Sequence, residues 1–144
     1  MKKLDYQCSI TANVTPEEAF DAINDVPAWW AKNFKGSSQR LNDIFKVDFG
    51  QTNVSFRVSE FVPGKVITWE VIDCYLHWIK DKKEWNGTSV RYEISKDGEQ
   101  TRITMTHIGL VPGAECYNDC NNGWNEHFGE SLLKLLTGDL GYPV

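Results

Sequence analysis

Three sets of side chains in this sequence have the chemistry to act on something. Cys116, Cys120 and His127 project within roughly 40° of one another on a helix turning about 100° per residue. Distance separates them, because at a rise of 1.5 Å per residue Cys120 and His127 stand roughly 10.5 Å apart along the axis, while zinc bonds are only about 2.0–2.3 Å long. Cys116 and Cys120 could share an ion with His107 from a strand, but structural zinc wants four ligands and this set is incomplete, so no metal is assigned. A local disulfide between the same two thiols is a marginal fit to the usual Cα spacing, and it stays open beside the metal reading. His107 with Glu126 or Glu130 would make a general acid–base group. The plainer reading is an imidazole at a strand end bonded to a neighbouring loop, and two glutamates four apart on a solvated helix face. No nucleophile elbow, phosphate loop or dinucleotide glycine motif occurs, so no catalytic residue and no cofactor is assigned, and non-covalent binding is expected ahead of catalysis. The third set is aromatic: six Trp, five Tyr and seven Phe in 144 residues. Indoles supply large flat walls and an N–H donor, which suits core packing and also the orientation of an amphipathic or ring-shaped ligand.

These side chains need elements to hold them. Leu4, Tyr6, Cys8 and Ile10 alternate with polar neighbours at the period of a half-buried strand. Thr15-Pro16-Glu17-Glu18 then supplies a cap, a proline at the first helical position and an acid three residues after the cap. Ala19, Phe20, Ala22, Ile23 and Val26 form one face of that helix, and Pro27 interrupts it before a short turn with Trp29 and Trp30. Period-two patterns return at Phe45 to Phe49, Val54 to Val58, Val90 to Ile94 and Ile103 to His107, and Val66 to Cys74 is an apolar stretch interrupted by polar Thr68, Glu70 and Asp73. The turns between them, Pro63-Gly64, Asn86-Gly87 and Asp97-Gly98, are too short for parallel crossovers. A long helix is expected from about Glu115 to Leu136, with Trp124, Phe128, Leu132, Leu135 and Leu136 on its apolar stripe and Gly138 at its end.

Length and charge bound what such a chain can do. A single domain over residues 1–144 is expected, without repeats or linkers, and a chain of this size buries a sizeable core. Fifteen basic against twenty acidic residues give a net charge of −5, which repels phosphate backbones, so no nucleic-acid partner is expected. No segment approaches the roughly 20 apolar residues of a membrane span, and no signal-peptide core follows the first lysines. A cytoplasmic protein with its four cysteines, Cys8, Cys74, Cys116 and Cys120, as free thiols is expected.

Local motifs in this order resemble a known family. Thr15 to Ile23 followed by Trp29-Trp30, Pro63-Gly64-Lys65 with Ile67-Thr68-Trp69, Gly87 to Val90, Thr101 to His107 with Gly109-Leu110, Gly123-Trp124, and Ser131 to Gly138 together resemble the START-like helix-grip (SRPBCC) superfamily. Within it they are similar to the branch of the C-terminal domain of the activator of heat shock protein 90 ATPase. The resemblance implies an α+β helix-grip fold: a curved antiparallel sheet of about six strands wrapped around a long C-terminal helix, with two short helices after the first strand. It also implies an apolar cavity between helix and sheet. Trp30, Phe45, Trp69, Tyr92, Met105, Trp124 and Phe128 are the candidate lining, with His107 as a polar contact. The leading expectation is therefore a cytosolic protein that binds a small hydrophobic or amphipathic, lipid-like or aromatic molecule. A stress- or chaperone-associated interaction protein is one alternative, using aromatics of the charged Tyr75–Trp85 stretch, including Trp78 and Trp85, for a chaperone partner or a homodimer. With all 144 residues in one domain, no separate chaperone-binding domain is expected, and neither is direct ATPase stimulation. A cyclase- or hydrolase-like enzyme using His107 in the same cavity is the second alternative. The identity of the ligand and the oligomeric state are left open.

Overall fold

Alternating apolar residues dictate a sheet with one dry face, and the computed structural model, which describes residues 6–77, 79–110, 117–138, 141 and 143, shows where that face closes. Seven strands are present among the described residues: β1 (Tyr6–Ala12), β2 (Asn33–Gly36), β3 (Ile44–Phe49), β4 (Thr52–Val62), β5 (Val66–Tyr75), β6 (Ser89–Asp97) and β7 (Gln100–Ile108). Their order across the sheet is β1-β7-β6-β5-β4-β3-β2, and every pair is antiparallel. The register fixes which side chains meet. Tyr6, His107, Val90, Trp69 and Val58 lie in one row across five strands, and Cys8, Met105, Tyr92 and Ile67 lie in the next. Register shifts between Ser55 and Phe56 and between Val58 and Glu60 break the β4–β5 ladder, the kind of irregularity that bends a sheet toward its dry face.

One strand more than expected is present. β2 is a four-residue edge strand, Asn-Phe-Lys-Gly, too short and too polar to show a period of two. Among the described residues it pairs only with β3, where Gly36 at φ 102° lies so close to Ile44 that a Cβ would meet that residue's carbonyl oxygen.

Helix α1 (Pro16–Asn24) begins as its sequence dictates. Glu18 N–H donates to the Thr15 hydroxyl at 3.0 Å, and Thr15 N–H donates to the Glu18 carboxylate at 3.1 Å, which closes a reciprocal capping box. The second short helix, α2 (Val26–Trp29), has Pro27 in its first turn and Trp30 as its C-cap. At the other end of the chain the expected helix is not uniform. α3 (Tyr117–Glu126) passes into a π-helical turn, His127–Leu132, and then into α4 (Leu133–Leu136). The wider turn buries Phe128, Ser131 and Leu132 together, and Ser131 Oγ donates to the Trp29 carbonyl at 2.7 Å, tying this helix to α2. Gly138, at φ 95°, follows the last turn as its sequence position predicts.

The outer face of the sheet is wet. Arg57 pairs with Glu70 at 2.9 Å, Arg91 with Glu60 at 3.4 Å, and Ser9 bonds Thr104 across β1 and β7. These exposed pairs hold register more than they stabilise, since such pairs contribute on the order of 0–1 kcal/mol.

Candidate functional site

All eight candidate lining residues, Trp30, Phe45, Trp69, Tyr92, Met105, His107, Trp124 and Phe128, are buried on the dry side of the sheet. Seven of them belong to one network of ring contacts, and Met105 stands opposite Tyr92 in the β6–β7 register. The tryptophans run through it in sequence of contact. Trp85 stacks on Trp124 (6.1 Å, 11°), Trp124 meets Trp30 (5.0 Å, 40°), and Trp30 lies parallel to Trp69 (6.2 Å, 3°). Trp29 stacks on Trp30 from the side, at 6.0 Å. Phe45, Phe56 and Phe49 close the β3–β4 side, and Tyr92 links Trp69 (4.8 Å) to Phe128 (5.9 Å). Trp69, Tyr92, Met105 and Phe128 are 0% exposed, so the rings pack against one another and no water-sized space opens onto these four side chains.

The Trp85 segment differs from its sequence reading as an interaction surface. Trp85 is only 7% exposed, and Leu76 and Ile79 are buried beside it. The loop closes on itself, with Leu76 N–H donating to the Lys82 carbonyl, Asn86 N–H to that of Lys83 and Thr88 N–H to that of Trp85. Its charges stay outside, where Lys83 pairs with Asp73 at 2.9 Å. Trp78 lies outside the described residues, as do Cys116 and the side chain of Cys120, so the proposed metal or disulfide pair is not placed. Cys8 and Cys74 are free thiols, and burial pushes the Cys74 thiol upward from its ordinary value.

His107 is held on both ring nitrogens. The Trp124 indole N–H donates to Nδ1 at 3.1 Å, and an indole nitrogen can only donate, so Nδ1 is the acceptor. Nε2 therefore carries the proton and donates to Thr88 Oγ1 at 2.9 Å, and that hydroxyl passes its own proton to the Trp85 carbonyl at 2.6 Å. The imidazole thus ties β7, α3 and the β5–β6 loop together, with Trp85 edge-on at 4.6 Å. Burial holds its pKa down to about 3, and it stays neutral across the physiological range. No carboxylate bonds it among the described residues, and both nitrogens are engaged, so the acid–base role considered for His107 has neither its partner nor a free lone pair. Glu126 and Glu130, its imagined partners, are both exposed.

Two polar atoms in the network are not satisfied. The Trp69 Nε1–H and the Tyr92 hydroxyl are buried with no hydrogen-bond partner among the described residues, on rings that touch each other across β5 and β6. Burial raises the Tyr92 hydroxyl well above its usual pKa, so it is a neutral donor. A buried donor without an acceptor costs on the order of 1–3 kcal/mol, and this core carries two, on neighbouring rings. The sequence showed the ring types. It did not show that Trp29 spends its N–H on the Ile23 carbonyl and Trp124 on His107 while Trp69 spends its own on nothing.

Among solved structures the chain is similar to the Aha1 dimer from Colwellia psychrerythraea at 20% identity, covering 94% of this chain and 97% of that one with a TM-score of 0.77. A Bacillus halodurans protein superimposes at a TM-score of 0.71 and 16% identity, covering 94% of this chain and 99% of that chain. DynU16, a protein in the dynemicin biosynthetic locus, superimposes at 0.67 and 17% identity, over 94% of this chain and 49% of its own. No protein-family model and no curated protein matches the sequence. The agreement extends over nearly the full length of the chain, and the fold is the START-like helix grip.

Proposed function

We propose that the protein binds a small, flat, neutral apolar molecule between the C-terminal helix and the sheet, and that Trp69 and Tyr92 recognise a hydrogen-bond acceptor on it. The observation that carries this reading is the pair of buried, unpartnered donors on touching rings. An acceptor set against them recovers the free energy that the unliganded core forgoes. Charge selects the class of molecule. No Lys, Arg, Asp or Glu is among the buried residues described, and His107 stays neutral, so a carboxylate or phosphate in the core would have no counter-ion. A ketone, ester or ether oxygen satisfies the donors without that cost. DynU16 comes from a biosynthetic locus, which supports a small molecule as the occupant.

The test is a titration with three naphthalenes of one shape: 2-acetylnaphthalene, 2-ethylnaphthalene and 2-naphthoate, followed by tryptophan emission. The ketone is expected to bind about tenfold more tightly than the hydrocarbon, the value of roughly one hydrogen bond, and the carboxylate not measurably. Equal affinities for ketone and hydrocarbon, or preference for the carboxylate, would contradict the assignment.

A second reading, self-association, draws on the Colwellia neighbour having been solved as a dimer, and on Ile72 and Tyr75, both exposed near the end of β5. Light scattering at micromolar concentration tests it, and the mass of a single chain would remove it.

A further inference from the structure

Outside the core, a cleft of about 330 Å³ opens between the C-terminal end of α1, β2 and the turn that follows β2. Asp21, Asn24, Asp25, Phe34, Ser37 and Ser38 are among the residues that line it. From this cleft we infer a second binding site, for a small organic cation: an ammonium group on an apolar body.

The sequence places charge here against the helix. α1 ends with Asp21 in its last turn and Asp25 as its cap, with no basic residue in that turn. The carbonyl end of a helix carries partial negative charge, so both carboxylates stand where a cation is favoured. Neither is in an ion pair among the described residues, and both are exposed.

A second, independent feature points the same way. Asn24 is 4% exposed, and its Nδ2 turns back to donate to the Phe20 carbonyl at 3.1 Å. The opposite end of that amide, Oδ1, is buried and has no hydrogen-bond partner among the described residues. The neighbouring donors turn to other acceptors: Ser38 Oγ and Gln39 Nε2 donate to the Asn24 carbonyl at 3.2 and 3.5 Å, and Ser37 Oγ to Asp43 at 2.7 Å. What the cleft offers a ligand is therefore mostly acceptors, two carboxylates and an amide oxygen, with the Gln39 side-chain amide at its rim, beside the half-buried ring of Phe34 and Pro27. A compact ammonium supplies three donors and a positive charge, and an aromatic or alkyl body attached to it covers Phe34. A hard metal ion fits less well, because it wants about six oxygens and gains nothing from the apolar wall. No group of three His, Cys, Asp or Glu residues among those described is placed to hold one.

The test uses the whole chain and two probes of equal shape, 2-phenylethylammonium and 2-phenylethanol, with amide and side-chain NH2 signals followed by NMR. The ammonium is expected to give saturable shifts at the Asn24 side-chain NH2 and at backbone amides of residues 24–25 and 34–38, weakening as salt is raised. The alcohol is expected to give none. In the Asp21→Asn, Asp25→Asn variant, whose changes are exposed and leave the fold intact, ammonium binding should fall at least tenfold. Equal shifts from the alcohol, shifts elsewhere in the protein, or undiminished binding by the double variant would overturn the site. None of these outcomes depends on whether the aromatic core takes a ligand.

Discussion

His107 shows how much one side chain decides in this core. In the unfolded chain its imidazole titrates near 6.5, whereas in the folded protein burial holds the pKa down to about 3. Between those values the unfolded state binds the extra proton, so stability rises with pH and is lost as pH falls from about 6.5 toward 3. The expected slope from this one residue is about 1.4 kcal/mol per pH unit, read as the difference between urea-denaturation curves of the native protein and a His107→Gln variant. Parallel curves over that range would show that the imidazole is not buried as described. Its indole partner gives a second measurement at the same scale. Trp124→Phe keeps the ring but strands the His107 Nδ1 acceptor, and a loss of about 1–3 kcal/mol is expected in the same denaturation assay. The sequence made the residue types legible and even the bland role of His107, an imidazole bonded to a loop. It could not show the pairing of Trp124 with His107, because that depends on how helix and sheet are set across 17 positions of chain.

At the scale of elements, the parts written in local chemistry were readable. The Thr15 and Glu18 capping box is closed by residues three apart, so sequence alone positions the start of α1. Thr15→Ala should cost about 1 kcal/mol, measured by thermal denaturation. The paired later strands were equally plain, since alternation and an Asp-Gly turn are local signals. Two features were not. β2 has too few residues to display a period, and its place is set by Gly36, whose backbone alone allows the close approach to β3. Gly36→Ala forces a Cβ to within 2.3 Å of the Ile44 oxygen at a φ of 102°, so β2 amides should exchange much faster with solvent while those of β5 and β6 hold their protection. The π-helical turn at His127–Leu132 escaped the sequence because its apolar residues satisfy ordinary helical spacing. Packing against Tyr92 and α2 selects the wider turn.

Across the whole molecule, the six tryptophans of 144 residues set the character of the interior. Five of them now lie in one contiguous array from the β5–β6 loop to the central strand, including Trp85, which the charges around it had made look exposed. Composition and order of motifs pointed to an aromatic interior of helix-grip type. They could not say that the rings would pack so closely, or which polar atoms they would leave over, because both depend on distances of a few tenths of an ångström. The two atoms left over among the described core rings are Trp69 Nε1 and the Tyr92 hydroxyl. The most direct measurement is thermal denaturation of the native protein and a Tyr92→Phe variant, each with and without saturating 2-acetylnaphthalene. Removing an unsatisfied hydroxyl should make the unliganded variant more stable by up to about 1–3 kcal/mol, while the ligand should raise its melting temperature less than it raises that of the native protein. An unliganded variant no more stable than the native protein, or a ligand shift of equal size in both, would contradict the assignment of these rings to a binding site.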